Sequence, residues 1–365
     1  MVPEHPRAEF RLARVASTIE RWASRRSVVG LTLALAFVSL VKSGVGVFES
    51  PLWPLSGWPR PVEAYPPLTY GFRVIAQALN TESRTVYTLI AFAVILVALV
   101  AMGLSWRHSL LPREARWVAI LIAGGPAMWV VWGGIGRTDI YIILSGVLLG
   151  TLGRSISWAI PAALLGILGN PEQAVALGVG LFILSLTSRF SQWRRGAIAY
   201  VGISAVAWLT LTLWSRSLGI PGRVEYFQEL WRQSLQWFFI QLPLELYAGF
   251  GLTLVAICWA VVDQRARDAI LVIAGTLVLP LMVTALTLDQ SRVLVACSIG
   301  SVSAILTVYA PRIVSHISAR TRFPLALTLA TVILLPAVEI TANVIRVPLG
   351  FFYPYLQAYV LTPLL

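Results

Sequence analysis

The sequence predicts an all-α protein, a polytopic bundle of transmembrane helices. Of its 365 residues, 58% are hydrophobic and only 12% are charged, whereas a soluble domain is about one-quarter charged. The apolar residues fall in long runs, and most basic residues lie between these runs. Helices that face lipid need no polar outer surface, so this pattern is typical of a chain that crosses a membrane many times. No linker or fixed-period repeat divides it, and we expect one transmembrane domain over 28–365 after a basic N-terminal arm over 1–27.

The apolar runs define about eleven spans, read at roughly 17–25 residues each. The first run is longer than the apolar region of a cleaved signal peptide, and we therefore expect a retained helix. The predicted spans are 28–48, 85–105, 117–135, 139–153, 156–170, 172–188, 197–214, 246–262, 269–288, 292–310 and 324–341.

Arginines predict which connections face the cytoplasm. By the positive-inside rule the basic connections share the cytoplasmic side, which places the N-terminal arm there and the acidic connections outside. The net charge of +12 then orients helices and contacts anionic lipid, and it does not indicate nucleic acid. The strong preference for arginine over lysine is compatible with a GC-rich bacterial genome, hence a bacterial plasma membrane. The segments predicted to share the cytoplasmic side are 1–27, 106–116, 154–155, 189–195, 263–268 and 311–322.

Two segments outside the spans are predicted to lie along the outer membrane surface. In the first outer loop, 49–84, prolines forbid a helix before Pro67, and apolar residues then recur at helical spacing, which predicts a surface helix. A connection this long is usually functional. The amphipathic segment 215–245 carries Trp231 and Trp237 beside polar residues, a composition suited to the interface.

Four acids predicted for the outer face stand at helix ends next to apolar surface: Glu49, Asp139, Glu172 and Asp289. A charge at membrane depth usually faces the bundle interior or a watery cavity and has a partner. Nearby in sequence are Arg137 for Asp139 and Arg292 for Asp289, whereas Glu172 lies in Asn170-Pro-Glu-Gln173. For any one of them, a helix-end charge in the headgroup layer is the alternative.

Three of these motifs resemble those of the GT-C superfamily of membrane glycosyltransferases. Glu49 follows the first helix, and Tyr65-Pro-Pro-Leu-Thr-Tyr70 opens the surface helix, as in the first outer loop of that superfamily. Gly136-Arg-Thr-Asp139 is similar to its second outer motif, and Asn170-Pro-Glu-Gln173 to its Pro-Gln turn. The resemblance implies transfer of a sugar from a polyprenyl-phosphate donor to a glycan or lipid acceptor. Only Glu49 stands where the mannosyltransferase branch has a paired Asp-Glu.

The chemistry of such a transfer assigns roles to these residues. A carboxylate must take the proton of the acceptor hydroxyl, and positive charge must hold the leaving phosphate. Glu49 is the predicted base with Asp139 second, and Arg137 and Arg292 are the predicted phosphate ligands. No metal motif is present, although two outer acids could hold a divalent cation. The predicted substrate-binding residues are Tyr65, Tyr70, Asn170, Glu172, Gln173 and Asp289.

Other classes of membrane protein stay open at this point. A polysaccharide polymerase or ligase would use outer acids and arginines on lipid-linked glycans, and Arg216, Arg223 and Arg232 fall in 215–245. A transporter would break its helices near the midplane, as Gly124-Gly-Pro suggests, and Lys42 lies inside the first span. No matching pair of interrupted helices is recognisable in two halves of the sequence. A non-catalytic subunit of a membrane assembly is also open.

Overall fold

The fold is almost entirely helical, which confirms the all-α prediction. The computed structural model describes residues 5–44, 84–133, 139–217, 223–287, 289–341 and 344–346. The predicted surface helix from Pro67 and the aromatic run at 351–355 lie outside the described residues.

Several helices in the first half of the chain begin with recognisable signals. Pro112 and Pro171 stand at first helical positions, where a missing N–H costs nothing, and the Ser27 side chain accepts from the Gly30 N–H to cap the second helix. The helices are α1 His5–Arg25, α2 Val28–Ser43, α3 Arg84–Ser109, α4 Pro112–Ala123, α5 Pro126–Gly133, α6 Asp139–Leu152, α7 Ile156–Gly169 and α8 Pro171–Leu184.

The second half of the chain contains the longest helices and a hairpin. A π-helical segment, Ala274–Val278, joins the short helices Ala266–Ile273 and Leu279–Ala285 into one continuous helical stretch. The elements are α9 Arg194–Ser217, α10 Arg223–Phe250, α11 Thr253–Val262, α12 Ala266–Ile273, α13 Leu279–Ala285, α14 Gln290–Arg320, α15 Pro324–Leu334, β1 Glu339–Thr341 and β2 Val344–Arg346.

Several helices are long and apolar enough to cross a membrane. Within the described ranges there are four of them, or six if each bent pair of helices is one span. Five further apolar helices are shorter than 18 residues, so the count of eleven spans stays a prediction. The four long helical stretches are Ala91–Ser109, Ser191–Trp214, Ala266–Ala285 and Gln290–Arg320.

Helix α14 is the centre of the bundle. In its most apolar window 94% of the residues are buried inside the protein, against 22% in the window at Ser191–Trp214. Small residues permit this close packing: a Cβ at Gly150 of α6 would lie 2.4 Å from the Gly300 carbonyl oxygen of α14. Ser301 of α14 donates to the Gly275 carbonyl of the π-helical segment at 3.3 Å.

Two helices are interrupted, and their breaks meet. Helices α4 and α5 bend by 44° after Gly124, and α10 and α11 bend by 98° at Gly251, whose φ of 49° suits glycine. A Cβ at Gly251 would lie 3.0 Å from the Pro126 ring. No second interrupted helix beside Gly124 was recognisable from the sequence, and the structure adds the one at Gly251. The predicted boundary at residue 246 was wrong, because α10 continues through Pro243 to Phe250.

The last predicted span is shorter than expected. Helix α15 ends at Leu334, since Pro336 lacks an N–H and disfavours helix at the residue before it. The antiparallel hairpin that follows pairs Glu339 with Arg346. Glu339, predicted near the end of a helix, therefore lies on a strand.

One end of the bundle collects the basic connections, and we call it the arginine-rich end. Side-chain contacts join six segments there, in the grouping that the charge pattern predicted. The structure contains no membrane, so which side this end faces stays a prediction. The contacts are Arg116 Nε to Arg26 O at 2.9 Å, Ser109 Oγ to Thr151 O at 3.5 Å, the Arg154 guanidinium 4.6 Å from the Trp193 ring centroid, and ion pairs of Asp263 with Arg189 and Arg312.

Candidate functional site

The opposite end of the bundle carries an arginine among carboxylates, which we call the Arg292 cluster. Arg292 Nε lies 3.3 Å from Asp139 Oδ1, and its Nη2 lies 3.0 Å from Asp289 Oδ2. Glu339 also acts electrostatically on Arg292. Asp139 is only 6% exposed. One guanidinium thus faces three carboxylates, giving a formal charge of −2 for this group.

Helices α6 and α14 bring the two ends of this ion pair together. They run parallel, because Asp139 meets Arg292 near both N-termini while, farther along, Gly150 meets Ser303. The predicted sites Asp139, Asp289 and Arg292 are therefore joined in one cluster. Asp139 pairs with Arg292 of a distant helix, whereas its sequence neighbour Arg137 lies outside the described residues.

The third carboxylate of the cluster, that of Glu339, lies on strand β1 of the hairpin. A Cβ at Gly133, the last residue of α5, would lie 3.5 Å from Glu339 Oε2. Strand β1 is fixed to the start of α14, since the Ile340 N–H donates to Ser291 Oγ at 3.1 Å and Ser291 Oγ lies 3.3 Å from the Ile340 carbonyl oxygen. The ends of α5, α6 and α14 and strand β1 therefore converge on one acidic site.

Helix α10 crosses this end of the bundle. It makes a 98° angle with α11. Helix α11 itself runs alongside α14, because Thr253 and Ser298 line one small cavity and because Asp263, which follows α11, pairs with Arg312. The Ser234 Oγ of α10 donates to the Thr287 carbonyl at 2.6 Å, and the Ser234 backbone carbonyl accepts from Gln290 Nε2 at 3.2 Å. The buried face of α10 consists of Ser234, Phe238, Gln241, Glu245 and Ala248.

Glu245 is a buried acid that sequence reasoning missed. Its side chain is fully buried, and in the described part of the chain neither carboxylate oxygen has a hydrogen-bond partner. Ala248, one turn farther along the same face, packs against Val338 and Ile340 on either side of Glu339. The signal was present in the sequence: Gln241 and Glu245 are spaced four apart on the apolar face of a helix, and an acid there indicates a functional position.

The turn that contains Asn170 packs against the first turn of α6. A Cβ at Gly169 would lie 2.9 Å from the Ile142 backbone nitrogen. Asn170 Oδ1 accepts from the N–H groups of Glu172 and Gln173 at 3.1 and 3.2 Å, which makes it the cap of α8. Glu172 is hydrogen-bonded to the Trp208 side chain. The substrate-binding roles predicted for this turn stay predictions.

Lys42 has a structural partner within the bundle. Its Nζ donates to the Val332 carbonyl in the last turn of α15 at 2.7 Å and lies 4.9 Å from the Trp129 ring centroid. A cation at a helix C-terminus is favourable, so Lys42 fastens α2 to α15.

Four predicted site residues, Glu49, Tyr65, Tyr70 and Arg137, lie outside the described residues. Among those that are described, no group of three or more His, Cys, Asp or Glu side chains is placed to hold a metal ion.

Comparison of this chain with family models, with curated proteins and with solved structures gives no match.

Proposed function

We propose that the chain is a membrane glycosyltransferase of the GT-C kind. It would move a sugar from a polyprenyl-phosphate donor to an acceptor hydroxyl at the extracytoplasmic surface of the membrane. The observation that supports this most is the Arg292 cluster, a partly buried guanidinium among carboxylates at the end of the bundle away from the arginine-rich end. With the arginine-rich end in the cytoplasm, the cluster faces the outer leaflet, where a lipid-borne phosphate is at headgroup depth.

The residues of the cluster suit the two demands of the reaction. The Asp139 carboxylate of the cluster, or that of Glu49 outside the described residues, takes the proton of the acceptor hydroxyl while the hydroxyl oxygen bonds to the anomeric carbon of the sugar. The bond between that carbon and the phosphate oxygen breaks, and the electron pair leaves with the phosphate. Arg292 holds the departing phosphate through its planar fork of N–H donors. A single displacement of this kind inverts the configuration at the sugar carbon.

The test is sugar transfer by purified protein. The protein is incubated with polyprenyl-phosphate-linked mannose and other sugars plus a candidate acceptor, and release of the lipid phosphate is measured. Glu49→Gln and Asp139→Asn are compared with Asp263→Asn, which removes a carboxylate from an ion-pair network at the arginine-rich end. Loss of the general base lowers the rate by about 10²- to 10⁴-fold, and Asp263→Asn should leave it within a few-fold. Full transfer activity in both Glu49→Gln and Asp139→Asn would refute the assignment of either residue as the general base.

A transporter is the second candidate, favoured by the meeting of the two interrupted helices. Discontinuous helices near the midplane form substrate and ion sites in many transporters. Here the breaks at Gly124 and Gly251 adjoin α14 and a cavity of about 20 Å³ whose lining includes Thr253 and Ser298. That volume holds about one water molecule. Solute flux into proteoliposomes without any lipid-linked sugar would favour this candidate over the first.

A further inference from the structure

The N-terminal helix α1 is docked on the arginine-rich end by one face. Glu20 Oε2 accepts from the Ala326 N–H in the first turn of α15 at 2.8 Å, a favourable place for a carboxylate. Ala23 is fully buried on the same face. The Glu20 carboxylate thereby holds α1 against the start of α15.

The exposed side of α1 contains a cleft lined by guanidinium groups. The cleft has a volume of about 420 Å³ and is lined by Thr18, Arg21, Trp22, Arg25 and Arg26. Arg21 and Arg25 stand four residues apart and therefore lie on the same side of the helix. The Arg26 guanidinium lies 5.7 Å from the Trp22 ring centroid. None of the described residues that line the cleft is acidic.

The surroundings of the cleft match a membrane surface. Trp22 is 38% exposed and Val15, seven residues earlier on the same side of α1, is 57% exposed. An exposed apolar strip beside a basic one is the pattern of a helix that lies in the headgroup layer. Ser27, directly after the cleft residues, caps α2, so the cleft stands where the chain enters the apolar bundle.

We infer that this cleft binds the headgroup of an anionic phospholipid. The three guanidinium groups bind phosphate oxygens through forked N–H donors, and the apolar strip of Trp22 and Val15 accommodates the start of the acyl chains. This inference is independent of the proposed function, because it concerns the opposite end of the bundle from the Arg292 cluster.

The experiment measures lipid retention by the purified full-length chain. Binding of phosphatidylglycerol, phosphatidylcholine and inorganic phosphate is followed by native mass spectrometry and by titration. The cleft variant combines Arg21→Gln, Arg25→Gln and Arg26→Gln. The control variant combines Arg265→Gln, Arg267→Gln and Arg320→Gln, which removes the same charge from exposed positions of the same end outside the cleft.

The expected result is selective loss of the anionic lipid. Each basic residue near an anionic surface contributes about fivefold in affinity, so the cleft variant should bind phosphatidylglycerol about a hundred-fold more weakly. The control should bind within a few-fold of the parent chain, and phosphatidylcholine should bind weakly to all three. If the triple variant does not fold, Arg25→Gln alone should still weaken binding about fivefold. Equal losses in both triple variants, or inorganic phosphate binding as tightly as phosphatidylglycerol, would overturn the inference.

Discussion

Removing the guanidinium of Arg292 should destabilise the protein more than removing any exposed arginine. In the variant Arg292→Gln, the carboxylates of Asp139, Asp289 and Glu339 face one another without the cation that now separates them. Gln can still donate a hydrogen bond, but it carries no charge. The loss therefore reports the electrostatic part of the cluster rather than its packing.

The size of the expected destabilisation follows from how deeply the Asp139–Arg292 ion pair is buried. Breaking a buried ion pair by removing one partner costs about 3–5 kcal/mol, because a charge is left uncompensated away from water. Asp139, with 8% of its side chain exposed, meets this condition, whereas Asp289, at 35%, is partly compensated by solvent. We expect Arg292→Gln to lower the free energy of unfolding by about 3 kcal/mol.

The assay is unfolding of the purified chain in mixed micelles with increasing denaturing detergent. Arg312→Gln is the matched control: its ion pair is 54% exposed on the arginine side, and Asp263 keeps Arg189 as a partner. The control should cost less than about 1 kcal/mol. The double variant Asp139→Asn/Arg292→Gln should recover part of the loss, since it removes the orphaned charge. If Arg292→Gln lowers the free energy of unfolding no more than Arg312→Gln does, the charge of Arg292 does not stabilise the carboxylates of the cluster.

Two further stability predictions concern the packing of α14 and the buried acid of α10. Gly150→Ala places a methyl group 2.4 Å from the Gly300 carbonyl oxygen and should lower the free energy of unfolding by about 1–3 kcal/mol. The control Gly202→Ala has nothing within 4 Å of the new methyl group and should not lower it. Equal effects of the two variants in the same unfolding assay would contradict close packing of α6 on α14. Glu245→Gln should leave the free energy of unfolding unchanged or raise it, because a buried carboxylate without a hydrogen-bond donor is costly. A decrease in that free energy above about 2 kcal/mol would mean that the carboxylate has a partner.

Much of the helical organisation was predictable because composition and charge act locally. Most of the long apolar runs form helices, and arginines accumulate in the connections at one end. The contact of Arg116 with the Arg26 carbonyl and the pairing of Arg312 with Asp263 join segments that the charge pattern had already grouped. Neither inference requires knowledge of which helices are neighbours.

The helix ends that were predicted wrongly depend on single residues whose effect is set by their surroundings. A boundary was predicted between 245 and 246, yet α10 passes through Pro243 and continues to Phe250, just before Gly251, where the backbone takes a positive φ. Pro336 ends α15 as proline usually does, but the hairpin after it forms because Ile340 bonds to Ser291 of α14. The sequence does not say which proline a helix will accommodate.

Asp139, Asp289 and Arg292 were predicted as site residues, and so was the pairing of Asp289 with Arg292, but the contact of Asp139 with Arg292 was not. The match of Asp139 with Arg137, made because the two are close in sequence, involves a residue outside the described ranges; the structure adds a pairing of Asp139 with Arg292. That pairing follows from the parallel packing of α6 on α14, which small residues such as Gly150 permit. A contact between distant segments leaves no mark in local composition. Glu245, by contrast, is marked in the sequence by its four-residue spacing from Gln241 on the apolar face of a helix.

The position of Arg292 also says how an anionic ligand could enter the cluster. A cation in the first turn of a helix is disfavoured by the helix dipole, and Arg292 is the third residue of α14, so anions must compensate it. Asp139 is nearly buried and held by the packing of α6, whereas Asp289 has 35% of its side chain exposed and lies just before the helix. A phosphate that displaced Asp289 would exchange one anion for another, leaving Arg292 compensated and releasing a carboxylate to water. In the proposed transfer reaction the donor phosphate would therefore compete with Asp289, and Asp139 would keep the guanidinium in place.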